Sequence, residues 1–260
     1  MFKCIKKYRS SLIYYLIMNV IKTYHSKLKK YKDLHKGEVC YIFATGITLN
    51  DFKIQEKGIY IGVNMITKSK PIIDNPAFKY YFFGHGYNEK TSLHGGHKEE
   101  VDNMRLDIDK FSFVSRNNNF GVHGFNLKDI KHLESINAIP LDLCLDKIHK
   151  NIDENSFINH SIVYPACQFA LYCGFSKIYL VGCDCVEKKP GDSSGSHYFF
   201  KTDKVMQYQN YTVSNHLVKW WEKIHTFKNE MYADRKIINI NPIGLKNKMD
   251  GDIYTTDEKE

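Results

Sequence analysis

The sequence predicts an α/β fold with a Rossmann-like, mostly parallel sheet flanked by helices. Short apolar runs recur along the chain, and helical or long polar segments separate them, as in a parallel sheet with crossover connections. Several runs end in Gly, Asn or Asp, at the carboxyl ends where such sheets bind ligands. The composition is ordinary for a globular protein, with 43% hydrophobic and 25% charged residues among 260. It excludes a collagen, a coiled-coil rod and a wholly disordered chain.

The formal net charge of +8 is concentrated in the N-terminal segment. The first forty residues hold ten Lys or Arg and two acidic residues, so the remainder is balanced. An apolar stretch at 12–21 lies between basic clusters; it is too short to span a bilayer, and no small-residue cleavage site follows it. We predict that residues 1–36 form a basic amphipathic arm on an anionic membrane surface. Packing of this helix on the protein body is the alternative, and no nucleic-acid-binding motif is present.

Cysteine usage indicates the compartment. The seven cysteines are an odd number at irregular spacing, which favours reduced thiols over a disulfide framework. Together with the basic arm, this predicts a cytoplasmic protein that is peripheral on the inner face of the cytoplasmic membrane.

The predicted Rossmann-like domain covers residues 37–249. Its predicted strands are 38–43, 58–64, 78–83, 110–114, 177–182 and 236–240. Helices are predicted at 161–173, with Gly174 as a left-handed cap, and within 205–232. The segment at about 87–156 is predicted to be an insertion with a small helical part, and 250–260 a flexible tail.

Polar residues follow the first two predicted strands. Thr45, Gly46 and Thr48 come after the first, where a glycine lets backbone N–H groups approach a phosphate. No GxGxxG or GxxxxGK[ST] motif is present, so an ordinary turn is the alternative. Asn64 ends the second strand, and its amide can bond a base or ribose through both its donor and its acceptor. The alternative for Asn64 is a cap on the following turn.

Three more candidates lie beyond later strands. His85 follows the third strand, and Asp184 follows strand 177–182. His197 lies in the polar loop after that strand and is a candidate general base, because the histidine pKa is near neutrality. A surface histidine is the alternative reading. His94, His97 and the Cys183–Cys185 spacing match no HExxH or CxxC pattern, so neither a metal nor another cofactor is predicted.

Several of these segments together resemble a known family. They are 31–37, 46–49 and 62–64 at the start, then 161–170 (SIVYPACQFA) and 174–184 (GFSKIYLVGCD). In this order they resemble a bacterial polysaccharide-cluster family whose domain is similar to the archaeal hydroxymethylpterin pyrophosphokinase. The last two segments also resemble the core of the small bacterial sialyltransferases. At 44–49 the chain reads ATGITL, where the family usually has Gly-Asn-Gly-Pro-Ser-Leu.

The resemblance implies a glycosyltransferase that uses a CMP-sugar donor and a histidine base without a metal. Asn64 would contact the nucleotide, Ser161 the donor end of the core helix, and His197 the acceptor hydroxyl. Tyr198 would stabilise the leaving phosphate. The expected reaction moves an acidic sugar, sialic acid or a related nonulosonate, to a cell-surface glycan such as lipopolysaccharide.

Two other functions and the oligomeric state stay open. A pyrophosphokinase with the same fold would use ATP and Mg²⁺, with Asp184 and Glu187 as its nearby acids. A non-catalytic nucleotide-binding assembly subunit is the third hypothesis. The sequence does not decide whether the chain forms a homo-oligomer.

Overall fold

The fold is known from a computed structural model of the chain. It describes residues 23–55, 57–84, 98–115, 127–144, 147–158, 161–188, 199 and 211–255. Within them the chain forms a nine-stranded sheet and a separate antiparallel pair of short strands. No helix in this part of the chain is long and apolar enough to cross a membrane.

The elements follow one another with short connections where the chain is described. The strands are β1 (Val39–Phe43), β2 (Ile59–Val63), β3 (Phe78–Gly84), β4 (Asp109–Ser115), β5 (Ala138–Cys144), β6 (Phe157–Ile158), β7 (Lys177–Val181), β8 (Val186–Lys188), β9 (Tyr211–Val213), β10 (Lys236–Ile240) and β11 (Gly251–Ile253). The helices are α1 (Lys70–Ile73), α2 (Lys98–Asp102), α3 (Leu127–Ser135), α4 (Val163–Cys173) and α5 (Asn215–Met231). Short 3₁₀ helices cover Ser26–Tyr31, Ile47–Asp51 and Asn64–Lys68.

The order of the strands defines where a ligand site is expected. The large sheet runs β11-β10-β7-β1-β2-β3-β4-β5-β6, and each neighbouring pair is parallel. The predicted fold class is therefore confirmed. From β1 to β6 the chain advances to one side, and β7 then returns to the other side of β1. Ligands of open parallel sheets bind beyond the carboxyl ends at such a reversal point.

Alternation along the central strand separates two cores. Cys40 and Ile42 face the core that contains α4 and α5, and Tyr41 and Phe43 face the other one. Helix α4 is buried over its whole length, which explains its apolar character all round. It ends at Gly174, whose φ of +95° confirms the predicted left-handed cap.

Residues 23–36 differ from the predicted arm. Leu28 and Tyr31 are 0% and 2% exposed and belong to the main core. The backbone then bonds to the end of α4: Asp33 N donates to Tyr172 O at 3.1 Å and His35 N to Cys173 O at 2.8 Å. This part of the chain packs on the body because its apolar side chains fill the space beside α4. Residues 1–22, with the apolar stretch, lie outside the described residues.

The segment predicted as an insertion instead continues the sheet. Between 87 and 156, β4 and β5 add to β3 in the same parallel order, with α3 as the crossover between them. Strand β5 was not predicted because Pro140 interrupts its pattern. Pro140 pairs with Ser112 of β4, and β6 pairs only with Leu143 and Cys144, so Pro140 lies where β5 has no second neighbour.

The segment 250–260, predicted to be a flexible tail, begins with a strand of the sheet. Gly251–Ile253 form β11, parallel to β10, so the sheet continues past residue 249. The carboxylate of Asp250 fixes this strand: it accepts from Ile237 N at 2.7 Å and from Lys228 Nζ at 2.8 Å. The Asp250-Gly251-Asp252 sequence is therefore part of the fold. Residues 256–260 lie outside the described residues.

The docking of the N-terminal segment gives a stability prediction. The Tyr31 ring makes edge-to-face contacts with Tyr80, Phe111 and Phe169 at centroid distances of 5.9, 5.7 and 5.2 Å. Tyr31→Ala should therefore lower the free energy of unfolding by about 3–5 kcal/mol in urea titrations. Leu34→Ala is the matched control; Leu34 is 54% exposed, so its loss should change stability by less than about 0.5 kcal/mol. Equal, small effects of both changes would contradict the docked arrangement.

Candidate functional site

A cleft lies at the carboxyl ends of β1, β2 and β7, at the reversal point of the strand order. The described residues enclose about 250 Å³. The walls are the turn 44–46, residues 63–65, the start of α4 at 161–164, the turn 182–186, and Leu217 with Trp221 of α5. The structure thus brings together five of the predicted binding residues: Thr45, Gly46, Asn64, Ser161 and Asp184. Their roles in binding stay predictions.

Two glycines allow the turns after β1 and β7 to touch. Gly46 N donates to Gly182 O at 2.9 Å. A Cβ atom on Gly46 would lie 2.5 Å from that same oxygen, so no side chain fits. Gly182 has a φ of +67°, and its Cβ would lie 2.9 Å from Ala44 O. The close backbone approach therefore requires glycine at both positions.

Asp184 fixes the first turn from inside the protein. Its side chain is 4% exposed; it accepts from Thr48 N at 3.2 Å through Oδ2 and from the Thr48 hydroxyl through Oδ1. Burial raises the pKa of Asp184 to about 6, because desolvation outweighs the hydrogen bonds from Thr48 and Ile47. Asp184 is therefore placed to hold the turn in shape as well as to line the cleft.

Thr48 differs from its predicted role as a ligand contact. Its hydroxyl is engaged by Asp184, and its side chain lies outside the cleft lining. It borders a separate open cavity of about 420 Å³ with Asp51, Asn241 and Tyr254. Thr48 therefore stabilises the turn through its two hydrogen bonds to Asp184 and does not line the cleft.

Asn64 combines the two roles that the sequence left open. Its backbone is left-handed, with a φ of +44°, which asparagine tolerates better than most residues. The side-chain Oδ1 accepts from Gly84 N at 3.1 Å, and its carbonyl oxygen accepts from the Tyr81 hydroxyl at 2.6 Å. Asn64 thereby ties the end of β2 to the end of β3 while it lines the cleft.

The start of α4 supplies the electrostatics of the cleft. Residues 161–164 face it, so the positive end of the helix dipole lies at the cleft. Tyr164 N donates to Ser161 O at 3.1 Å, and Pro165 in the first turn has no N–H to satisfy. No Lys or Arg is among the described residues of the lining. A positive contribution to the potential in this part of the cleft is therefore expected from the start of α4 rather than from a cationic side chain.

Sequence reasoning missed the apolar wall. Tyr164 and Trp221 make an edge-to-face pair at 5.1 Å, and the Tyr164 hydroxyl donates to Leu217 O at 2.9 Å. These contacts join α4 to α5 across the cleft. Tyr164 lies in the segment 161–170, which carries the family resemblance, and Trp221 is one of two adjacent tryptophans in α5. Neither sequence pattern predicts that these side chains line the cleft.

Three predicted site residues, His85, His197 and Tyr198, lie outside the described residues. Phe199, two positions after His197, is described, and its backbone N–H donates to Thr45 O at 3.1 Å. The chain after β7 therefore returns to the turn that forms one wall of the cleft. The described residues contain no group of three His, Cys, Asp or Glu side chains arranged to hold a metal.

Comparison with known proteins gives little beyond this geometry. No family model and no curated protein matches the chain. Among solved structures, it is similar to the sialyltransferase CstII from Campylobacter jejuni, in complex with the substrate analogue cytidine-5'-monophosphate, at 15% identity. The match covers 78% of this chain and 80% of that one, with a TM-score of 0.39. At that level of similarity, the function has to be argued from the residues of this chain.

The buried carboxyl of Asp184 gives a pH prediction. Because folding raises its pKa from 3.8 to about 6, the protonated form stabilises the fold. This contribution is complete below about pH 4, is lost as pH rises through 6, and amounts to about 3 kcal/mol. Asp184→Asn should remove that slope, because the amide can accept from Thr48 N and donate to the Thr48 hydroxyl. Urea titrations from about pH 4 to pH 8 measure the difference between the two proteins.

The control for this titration is Asp234→Asn, an exposed position at the opposite edge of the sheet. Its stability should follow that of the unaltered protein at every pH. If the Asp184→Asn curve also ran parallel to it, Asp184 would not be the buried titrating group.

Proposed function

We propose that the chain is a glycosyltransferase that moves an acidic sugar, sialic acid or a related nonulosonate, from a CMP-sugar donor to a cell-surface glycan. The observation that carries this proposal is the cleft at the reversal point of the parallel sheet, where Thr45, Gly46, Asn64 and Ser161 converge. The segments that form the start of α4 and the β7 turn are those that resemble the small bacterial sialyltransferases.

The nucleotide part of the donor fits the described walls. Pockets for drug-sized ligands have about 300–1,000 Å³, so a cleft of about 250 Å³ suits a mononucleotide better than a dinucleotide. The phosphate would lie at the start of α4, where the helix dipole favours an anion. The lining described so far has no cationic side chain, which favours a donor with one phosphate over a diphosphate. Asn64 would bond the base or ribose through its amide.

His197 is proposed as the general base. His197 is two positions before Phe199 in the sequence, and the backbone N–H of Phe199 donates to Thr45 O at 3.1 Å. In this reaction the acceptor oxygen attacks the anomeric carbon, and the bond from that carbon to the CMP phosphate breaks. His197 takes the proton of the acceptor hydroxyl, and CMP leaves with the bonding electrons. Tyr198 would donate to the leaving phosphate, and His85 is the next candidate base.

The N-terminal segment is proposed to hold the enzyme at a membrane. Residues 1–22 combine basic clusters with the apolar stretch 12–21. We propose that they bind the anionic inner face of the cytoplasmic membrane, where lipid-linked glycans are built. The protein would act there as a peripheral cytoplasmic enzyme.

The pyrophosphokinase hypothesis loses support at its proposed metal pair. Asp184 is buried and accepts two hydrogen bonds from Thr48, whereas Glu187 is exposed on β8. A Mg²⁺ ion prefers nearly octahedral oxygen coordination with several waters, which a buried and occupied carboxylate does not offer. A non-catalytic nucleotide-binding subunit would share the cleft but not the transfer activity.

A ligand screen tests the donor class. Thermal shift with CMP, CDP, UDP, GDP and ATP, each with and without Mg²⁺, should show the largest stabilisation with CMP and no need for the metal. A ligand at a hundred times its Kd stabilises the fold by about 2.7 kcal/mol. Selective stabilisation by ATP with Mg²⁺ would favour the pyrophosphokinase, and a diphosphate preference would change the donor.

Asn64→Asp separates binding from folding. The aspartate keeps an oxygen for Gly84 N and tolerates the left-handed backbone, so the melting temperature should change little. It loses the amide donor for the base or ribose and adds a negative charge to a cleft that would hold an anionic donor. CMP affinity in calorimetry should fall by about 10–100-fold, the loss expected for an unpaired buried polar group. Unchanged affinity would restrict Asn64 to the turn.

His197→Ala tests the base. The turnover rate should fall by about 10²–10⁴-fold while CMP affinity stays the same, because the base contacts the acceptor. The rate of the unaltered enzyme should rise with pH through an ionisation near 6.5, and this limb should vanish in the variant. His149→Ala is the control; His149 is a half-buried histidine next to Lys150, at the edge of the sheet opposite the cleft.

Metal dependence is a separate test of the mechanism. Activity should survive EDTA; complete, Mg²⁺-reversible loss of activity would contradict the metal-free mechanism.

A further inference from the structure

Lysines mark the starts of four neighbouring strands at the edge opposite the cleft. Lys36 precedes β1, Lys57 precedes β2, Lys177 opens β7 and Lys236 opens β10, and all four are exposed. These strands are adjacent in the order β10-β7-β1-β2, and Lys177 and Lys236 are register partners. Lys177 and Lys236 are therefore on neighbouring strands about 4.8 Å apart, and Lys36 and Lys57 lie in the turns that lead into the next two strands. These four lysines are here called the lysine row.

The backbone holds the lysine row in place. Lys236 N donates to Ser176 O at 2.9 Å, and Ser176 N donates to Glu38 O at 2.8 Å. Gly37 N, next to Lys36, donates to Gly174 O at 3.1 Å. The backbone at or beside Lys36, Lys177 and Lys236 is thus part of the hydrogen-bonded edge of the sheet.

Apolar side chains and further cations flank the lysine row. Leu34 is 54% exposed and Met231 is 45% exposed. Met231 lines a cavity of about 310 Å³ together with Lys32, Lys150 and Arg235. Basic residues outnumber acidic ones in this region, although Arg235 pairs with Asp33 at 3.4 Å. The described basic residues are Lys32, Lys36, Lys57, Lys150, Lys177, Arg235 and Lys236, and the acidic ones include Asp33, Glu38, Asp153 and Asp234. The edge is therefore positively charged and also presents apolar groups.

We propose that this edge of the folded body docks on an anionic lipid bilayer, with the cleft facing away from it. Positive charge matches anionic headgroups, and exposed Leu34 and Met231 can enter the headgroup region. Sites for single-stranded nucleic acid instead place stacking aromatic rings along a basic groove. The proposal goes beyond the N-terminal segment 1–22, because it gives the body its own membrane contact and an orientation. It does not depend on the identity of the donor.

Flotation of the full chain with vesicles tests this face. Phosphatidylcholine vesicles with phosphatidylglycerol should bind the protein, and pure phosphatidylcholine vesicles should not. Lys177→Glu with Lys236→Glu should lower the vesicle partition coefficient by about 10²–10³-fold, from the surface attraction that each reversed charge loses. The control, Lys219→Glu with Lys246→Glu, makes the same change in net charge at exposed positions elsewhere. It should bind within about threefold of the unaltered protein, because charges beyond a Debye length of the surface are screened.

Acetylation footprinting checks the orientation without any variant. On vesicles, Lys36, Lys177 and Lys236 should be protected while Lys219 and Lys246 react as in solution. CMP binding, measured on the same samples, should be the same with and without vesicles. Equal losses in the two double variants, wild-type binding by Lys177→Glu with Lys236→Glu, an unprotected lysine row, or retention on RNA but not on vesicles would each overturn the docking face.

Discussion

The contact between the turns after β1 and β7 is the constraint on which the site depends. Gly46 N bonds to Gly182 O, and neither position has room for a Cβ atom. This contact keeps the two strand ends close where the chain reverses its direction through the sheet. A side chain at either glycine would separate the strands and widen the cleft that Asn64 and the start of α4 complete.

The polar side chains around this contact make hydrogen bonds that hold the backbone of the strand ends in place. Asp184 bonds to Thr48, and Asn64 bonds to Gly84, so both side chains join neighbouring strand ends. The cleft that they support is lined by the start of α4 on one side and by Leu217 and Trp221 of α5 on another. A site built this way resists reorganisation, because the groups that would contact a phosphate are fixed by the fold itself.

The sequence predicted an element best where an apolar run is followed by a residue that ends it, such as Pro or Gly. Strand β10 was predicted with its observed ends because Asn241-Pro242 stops it. The end of α4 was predicted correctly because Gly174 caps it, whereas the helix starts at Val163 and not at Ser161. Strand β5 escaped prediction because Pro140 obscures its pattern, and only the neighbours of β5 show that the missing N–H is tolerated. At 23–36 the lysines predicted an arm that binds a membrane. The segment instead packs on the protein body, because Leu28 and Tyr31 belong to the core that contains α4. The strand-end rule predicted Asn64 and Asp184 at one edge, but their partners Gly84 and Thr48 follow only from the folded geometry.

A wholly parallel sheet converts a pattern along the chain into two chemically different edges. Every strand of the large sheet starts at one edge and ends at the other. Glycine, asparagine and aspartate at the strand ends therefore gather into one cleft, and lysines at the strand starts gather into one basic row. An antiparallel sheet with the same sequence pattern would mix the two sets at both edges and so cancel the charge difference. The separation of the cleft from a basic opposite edge is thus a direct result of strand direction, and it orients the cleft relative to any surface that the basic edge binds.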